Sequence, residues 1–276
     1  MIRYEIGIVE TRNVIKTILD TYGYDFRDYA LTSFKRRLEQ IIMNNGFKDA
    51  DGLASRLASS KEYFEQFLHE ITPDTTEMFR DPSLWRNIRD EIIPDIMKGS
   101  PKPKLWVATF DSGEELFSLA IMLKEAGLLS EVQLYASAMS EKSIDKIKNG
   151  KIDAKEIEVN EANYLRYNGK RKFSDYYAID NGQIVLDSNL IRDVNFIKLN
   201  TVYDSIPGGI KLILFRNQMI YYNQLLVDKV LLHLSNSVVP GGYLIIGVKE
   251  SLENTNSINK FTVHNDSEKI YKKKTT

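Results

Sequence analysis

The sequence predicts an α/β fold in which a mostly parallel sheet is flanked by helices, preceded by an all-helical segment and interrupted by a small antiparallel hairpin. Short apolar runs at 105–108, 132–136, 194–199, 210–215 and 243–248 read as strands covered on both faces, and helical patterns separate most of them. The first seventy residues space their apolar positions at three and four instead, the period of an amphipathic helix. Asn181-Gly182, between 176–180 and 183–187, is a strong hairpin signal because both residues tolerate positive φ.

In order, a helix after Gly23 presents Phe26, Tyr29, Ala30, Phe34, Leu38, Ile41 and Ile42 and stops at Gly46. A shorter helix covers 50–58. Ser59 and Glu62 form a capping box for a helix that presents Tyr63, Phe64, Phe67, Leu68 and Ile71. Thr72-Pro73-Asp74-Thr75-Thr76 then marks a change of texture, which divides the chain into 1–71 and 72–276. Asp81 before Pro82 predicts a capped helix start, and Leu84, Trp85, Ile88, Ile92 and Ile93 carry that helix to Pro94. Helices 114–126, 140–150 and 223–237 alternate with the strands, as right-handed βαβ units require. The hairpin belongs to a β-subdomain at about 160–192.

Composition narrows the function. The 276 residues carry 37 Lys plus Arg against 38 Asp plus Glu, so bulk charge gives no reason to expect nucleic-acid binding. Without cysteine there is no disulfide framework, thiolate metal site or cysteine nucleophile. His69, His233 and His264 lie far apart with no acidic companion at ligand spacing, so no metal is expected. No apolar run reaches the length of a membrane span, and a cytoplasmic protein that is not membrane-inserted is the expectation.

In such a sheet, ligands bind at the carboxyl ends of the strands. The first strand runs into Thr109-Phe110-Asp111-Ser112-Gly113-Glu114-Glu115, where one glycine and two acids disfavour a nucleoside triphosphate. Those acids suit S-adenosylmethionine, with its ammonium, sulfonium and ribose; equally, they complement a helix dipole, worth ~0.3–1 kcal/mol each. Asn200 and Arg216-Asn217 close two other strands, Tyr221 follows a turn later, and Arg80 precedes the Asp81-Pro82 cap.

These words, taken together, resemble the chemotaxis receptor methyltransferases, the CheR family. Tyr24-Asp25-Phe26-Arg27-Asp28-Tyr29 with Ser33, Lys35, Arg36 and Arg37 resembles their helical segment, and Thr75-Thr76-Glu77-Met78-Phe79-Arg80-Asp81-Pro82 their entry motif. Leu105-Trp106-Val107-Ala108 through Ser112-Gly113-Glu114-Glu115, Phe215-Arg216-Asn217-Gln218-Met219-Ile220-Tyr221-Tyr222, and Pro240-Gly241-Gly242 with Glu250-Ser251-Leu252 complete the likeness in the family's order. The resemblance implies a class I, Rossmann-like S-adenosylmethionine methyltransferase domain with a β-subdomain and an N-terminal helical domain. It implies methyl transfer to glutamate side chains on the cytoplasmic helices of chemoreceptors. By matching positions, Arg80 and Tyr221 would stand nearest the transferred methyl. Thr76, Arg80, Gly113, Glu115, Ser137, Asn200, Thr201, Arg216 and Asn217 would surround the cofactor, and Lys35, Arg36 and Arg37 would face the acidic substrate helix.

The sequence departs from the family in Ala136-Ser137-Ala138, where Ala138 replaces the acid that grips the ribose, and in the bulkier Thr109 after the first strand. Losing a charged hydrogen-bond partner is expected to weaken cofactor binding by roughly ten- to a hundredfold, unless Asp111, Ser137 or Glu141 compensates. The alternative reading is therefore a catalytically impaired relative that binds a chemosensory protein.

Overall fold

A computed structural model describes residues 5–72, 76–99, 101–108 and 112–275, and element counts refer to these residues. Four helices open the chain: α1 (Ile8–Tyr22), α2 (Leu31–Asn44), α3 (Ala50–Ser59) and α4 (Lys61–Ile71). Their apolar faces meet in one core that buries Ile18, Phe34, Leu38, Leu53, Leu57 and Phe67. The periodicity reading did not separate α1, whose start is fastened by the Glu10 carboxylate on the Gly7 N–H at 2.5 Å. Nor does α2 begin at Phe26: an irregular strap precedes it, with Ala30 extended at its cap. The cap of α4 moves by one residue. Ser60 accepts from the Tyr63 N–H at 3.1 Å, while the Ser59 hydroxyl donates back into the last turn of α3.

Pro94 does not end its helix. α5 (Pro82–Asn87) passes through a π turn at Ile88–Ile92 into α6 (Ile93–Lys98). The proline has no N–H and its ring crowds the carbonyl four residues back; widening the preceding turn, with the Ile93 N–H reaching Ile88 O, relieves both problems.

The remaining elements are β1 (Lys104–Val107), α7 (Glu114–Glu125), β2 (Gln133–Ala138), α8 (Glu141–Lys148), β3 (Lys151–Ile152), α9 (Ile157–Tyr167), β4 (Tyr177–Asp180), β5 (Gln183–Leu186), β6 (Asn195–Lys198), β7 (Ile210–Phe215), α10 (Gln224–Ser237), β8 (Val238–Ile246), β9 (Phe261–Asn265) and β10 (Ile270–Lys273). The main sheet has seven strands in the order β6-β2-β1-β7-β8-β10-β9. All neighbours are parallel except β10, which runs antiparallel to β8 and β9. Alternate residues face opposite sides: Leu105, Val107, Leu212 and Leu214 pack with α7, whereas Trp106, Ile213 and Phe215 pack with α10. Strand order reverses between β1 and β7, and the crevice opens at their carboxyl ends.

β3, β5 and β4 form a second, antiparallel sheet. Its turn has Asn181 at φ 48° and Gly182 at φ 77°, the left-handed pair that the hairpin reading requires. The sequence reading did not foresee α9, because the residues it buries, Asn160, Asn163, Tyr164 and Tyr167, are polar or aromatic and give only a weak apolar stripe. β9 was also missed.

The helical layer rests on the carboxyl ends of the strands. Ser140 Oγ donates to Glu65 O at 3.0 Å, His69 Nδ1 and Ser143 Oγ lie 2.9 Å apart, and the Lys198 ammonium pairs with the Glu65 carboxylate. Tyr29 forms an antiparallel bridge with Tyr222, the Ala30 N–H donates to Tyr221 O at 2.8 Å, and the Asn223 N–H donates to Asp28 O at 2.9 Å. Met139, directly after β2, buries its side chain in the core of the helices.

Candidate functional site

The segment leading into α5 is strained. Phe79 (φ 52°) and Asp81 (φ 58°) both adopt left-handed backbone on either side of Arg80, a conformation that costs a non-glycine residue of the order of 1–3 kcal/mol. Contacts from three directions hold it. The Met78 N–H donates to Asn160 Oδ1 at 2.9 Å, the Phe79 N–H to Ser118 Oγ at 2.8 Å, and Trp85 Nε1 to Arg80 O at 2.9 Å. Asp81 occupies the N-cap position but makes no side-chain cap bond. Its carboxylate is taken instead by Arg216.

Arg216 stands at the end of β7 with a side chain only 2% exposed. Nη2 pairs with Asp81, and Nη1 donates to Glu115 Oε1 at 2.8 Å. One guanidinium thus brackets the Arg80 loop, the start of α7 and the end of β7. The adjacent acids of α7 have different fates. Glu115 turns to Arg216, whereas Glu114 is buried, accepts from the Ser112 hydroxyl, and has its pKa pushed up to about 7 by desolvation. Gly113 enables this turn: its φ is +99°, and a methyl group there would meet Ile147 Cγ2 at 2.9 Å.

A second clamp shapes the segment after Arg216. The buried Glu250 carboxylate accepts from the N–H groups of Asn217 (3.0 Å), Met219 (2.7 Å) and Gly247 (2.6 Å). Burial raises its pKa, although these N–H groups pull the other way. Asn217, at φ 57°, makes the sharp bend that turns the chain toward Tyr221. The sequence reading assigned Glu250 no role; its only signal was its place in a family-like string.

Between the helices and the strand ends lies a cavity whose walls include Tyr29, Phe34, Ile71, Met139 and Tyr222 together with the polar Asn200, Thr201, Gln218 and Tyr221. Arg37 is the only charged residue among the described residues that line it. Its guanidinium lies 5.2 Å from the centre of the Tyr221 ring, and Nη1 donates to Ile71 O at 3.2 Å. Asn200 is held by its own turn, with Oδ1 accepting from the Val202 N–H at 3.1 Å. Thr201 Oγ1 is buried and has no hydrogen-bond partner among the described residues.

The expected residues therefore divide. Tyr221, Asn200, Thr201 and Arg37 share the cavity, while Glu115, Arg216 and Asn217 shape its supports. Arg80 and Thr76 are half-buried on the strained loop and stand outside the cavity's described lining. Lys35, Arg36 and Arg37 do not act as one face, because successive helical residues point about 100° apart. Lys35 pairs with Glu5 and Glu39 at 3.5 and 3.8 Å, Arg36 is exposed, and only Arg37 enters the cleft. Ser137 lies within the sheet and accepts from Trp106 Nε1 at 3.0 Å; Ala138, next to it, lines the cavity. Thr109, Phe110 and Asp111 lie outside the described residues.

Comparison with known proteins decides the family. The model described as "CheR methyltransferase, SAM binding domain" matches residues 74–268, and "CheR methyltransferase, all-alpha domain" matches residues 10–72. The chain belongs to the CheR family. It is thus a member of a family of S-adenosylmethionine-dependent methyltransferases. The Pseudomonas putida protein Cher3 is 32% identical over 265 residues, 96% of this chain and 97% of that protein. A Vibrio cholerae chemotaxis protein methyltransferase is 30% identical over 188 residues, 66% of each chain. One from Pseudomonas aeruginosa is 25% identical over 229 residues, 79% of this chain and 81% of that protein.

The CheR-type cavity fits the family's cofactor by its own chemistry. Aromatic and aliphatic walls suit a purine, and the buried Thr201 hydroxyl, without a hydrogen-bond partner among the described residues, is a polar atom that a ligand would satisfy.

Proposed function

We propose that this CheR-family chain methylates glutamate side chains on the cytoplasmic helices of chemoreceptors, acting in the cytoplasm. The observation that supports the acidic substrate is Arg37, the one charged side chain among the described residues lining a cavity that also presents Tyr221. A glutamate carboxylate is ionised at neutral pH, so no general base is required. Its oxygen forms a bond to the methyl carbon as the carbon–sulfur bond breaks, with the electron pair left on sulfur and no proton moved. Bound S-adenosylmethionine supplies that electrophilic methyl group.

The chain's residues supply placement. Arg37 orients the carboxylate through its planar donors, and the Tyr221 hydroxyl adds one hydrogen bond. Arg80, presented by the strained loop, supplies a second cation for a carboxylate. The apolar walls exclude water that would otherwise solvate the nucleophile.

The test is incubation with methyl-labelled S-adenosylmethionine and a receptor cytoplasmic fragment. The expected product is a base-labile methyl ester, lost when the target glutamates are changed to glutamine. Heat from S-adenosylhomocysteine binding without methyl incorporation would favour the non-catalytic binding module. No heat at high micromolar concentration would exclude the enzyme.

A further inference from the structure

We infer that Glu65, on α4 of the helical domain, anchors the cofactor ribose in place of the acid that β2 lacks at Ala138. This rests on the cofactor reading above and names a residue toward it. Ala138 lines the cavity, and its methyl group accepts no hydrogen bond. Of the three substitutes named above, Asp111 lies outside the described residues, Ser137 is engaged by the Trp106 indole, and Glu141 is exposed at the start of α8.

Glu65 comes to the same strand end from the opposite domain. One carboxylate oxygen takes the Lys198 ammonium, and Lys198 is the direct partner of Ala138 in the β2–β6 register. The backbone of Glu65 is fixed there as well, since Ser140, two residues beyond Ala138, donates to Glu65 O at 3.0 Å. The other oxygen, Oε2, is buried with no hydrogen-bond partner among the described residues. A carboxylate oxygen withdrawn from water without a donor is a cost that native structures rarely leave standing. Ribose hydroxyls are donors of the kind it lacks. Lys198 gives the carboxylate its charge balance and fixes its orientation, so Glu65, which is not among the described residues lining the cavity, holds its open oxygen beside the strand end that bears Ala138. Because the anchor belongs to the helical domain, nucleoside binding ties that domain to the sheet.

The experiment is calorimetric titration of the full chain with S-adenosylhomocysteine and with its 2′,3′-dideoxy analogue. Four proteins are compared: wild type, Glu65→Gln, Ala138→Asp and the double variant, each checked for an unchanged circular dichroism spectrum. Glu65→Gln is expected to weaken S-adenosylhomocysteine binding about tenfold and to leave the dideoxy analogue unaffected. Ala138→Asp is expected to restore affinity in the Glu65→Gln background. An equal penalty on both ligands, or no penalty on either, overturns the role of Glu65. Absence of binding by the wild type overturns the cofactor reading itself, a distinguishable failure.

Discussion

Arg216 and Glu114 show how a single buried charge is given its task by what surrounds it. Arg216 divides its two Nη groups between Asp81 and Glu115, so it acts on the site through other residues. Desolvation is the largest influence on Glu114 and raises its pKa, with the Ser112 hydroxyl and Lys146 pulling the other way. With a pKa of about 7 in the folded chain against an ordinary 4.5, Glu114 binds more protons in the folded chain between those limits. Its contribution to stability is therefore greatest below about pH 4.5 and falls as the pH rises toward 7. Glu114→Gln keeps the shape without the charge. It is expected to remove an alkaline loss of the order of 2–3 kcal/mol, read as the difference between urea midpoints near pH 5 and near pH 8. Identical pH slopes in the two proteins would contradict the buried-acid account.

At the scale of elements, the strap before α2 matters more than its lack of regular structure suggests. Tyr29 bridges Tyr222, their rings lie 5.1 Å apart, and the Ala30 N–H holds the carbonyl of Tyr221. This pins the segment that presents Tyr221 against the helices. Ala30 has φ −60° and ψ 107°, values a proline ring accepts, but in Ala30→Pro the ring Cδ would stand where the N–H meets Tyr221 O, so the substitution both removes the bond and pushes the two segments apart. The lost hydrogen bond and the ring's clash together are expected to cost more than about 1 kcal/mol in unfolding free energy. It is also expected to lower the methylation rate, since Tyr221 is no longer fixed. An unchanged unfolding curve and rate would show that the bridge does not position Tyr221. Glu250 works in the same way from the other side, as a buried acceptor that gathers N–H groups from two loops.

For the whole molecule, the boundary between helices and sheet is not a boundary between cores. Met139 leaves β2 and packs among the helices, and Glu65–Lys198, His69–Ser143 and the Tyr29 bridge tie the same two layers. Shared burial makes unfolding cooperative. Calorimetry is expected to show one transition whose van't Hoff and calorimetric enthalpies agree, shifted upward as one peak by saturating S-adenosylhomocysteine. Two resolved transitions, with only the later one moving on ligand addition, would mean that the helices fold and bind independently.

Sequence alone determined the features that depend on near neighbours along the chain. Alternation and three-to-four spacing marked most strands and helices because burying one face selects for that period. Asn181-Gly182 specified its turn because few residue pairs accept two positive φ angles. The family-like strings also brought Arg80, Glu115, Arg216, Asn217 and Tyr221 into consideration. The tertiary structure alone decided what each of them touches. That Asp81 serves Arg216 instead of capping its helix, that Arg37 enters the cleft while its neighbours do not, and that Glu65 faces the strand end bearing Ala138 all rest on contacts between distant segments. A residue's partner across the fold leaves no periodic trace in its own surroundings, because long-range contacts are set by how whole faces pack and not by local spacing.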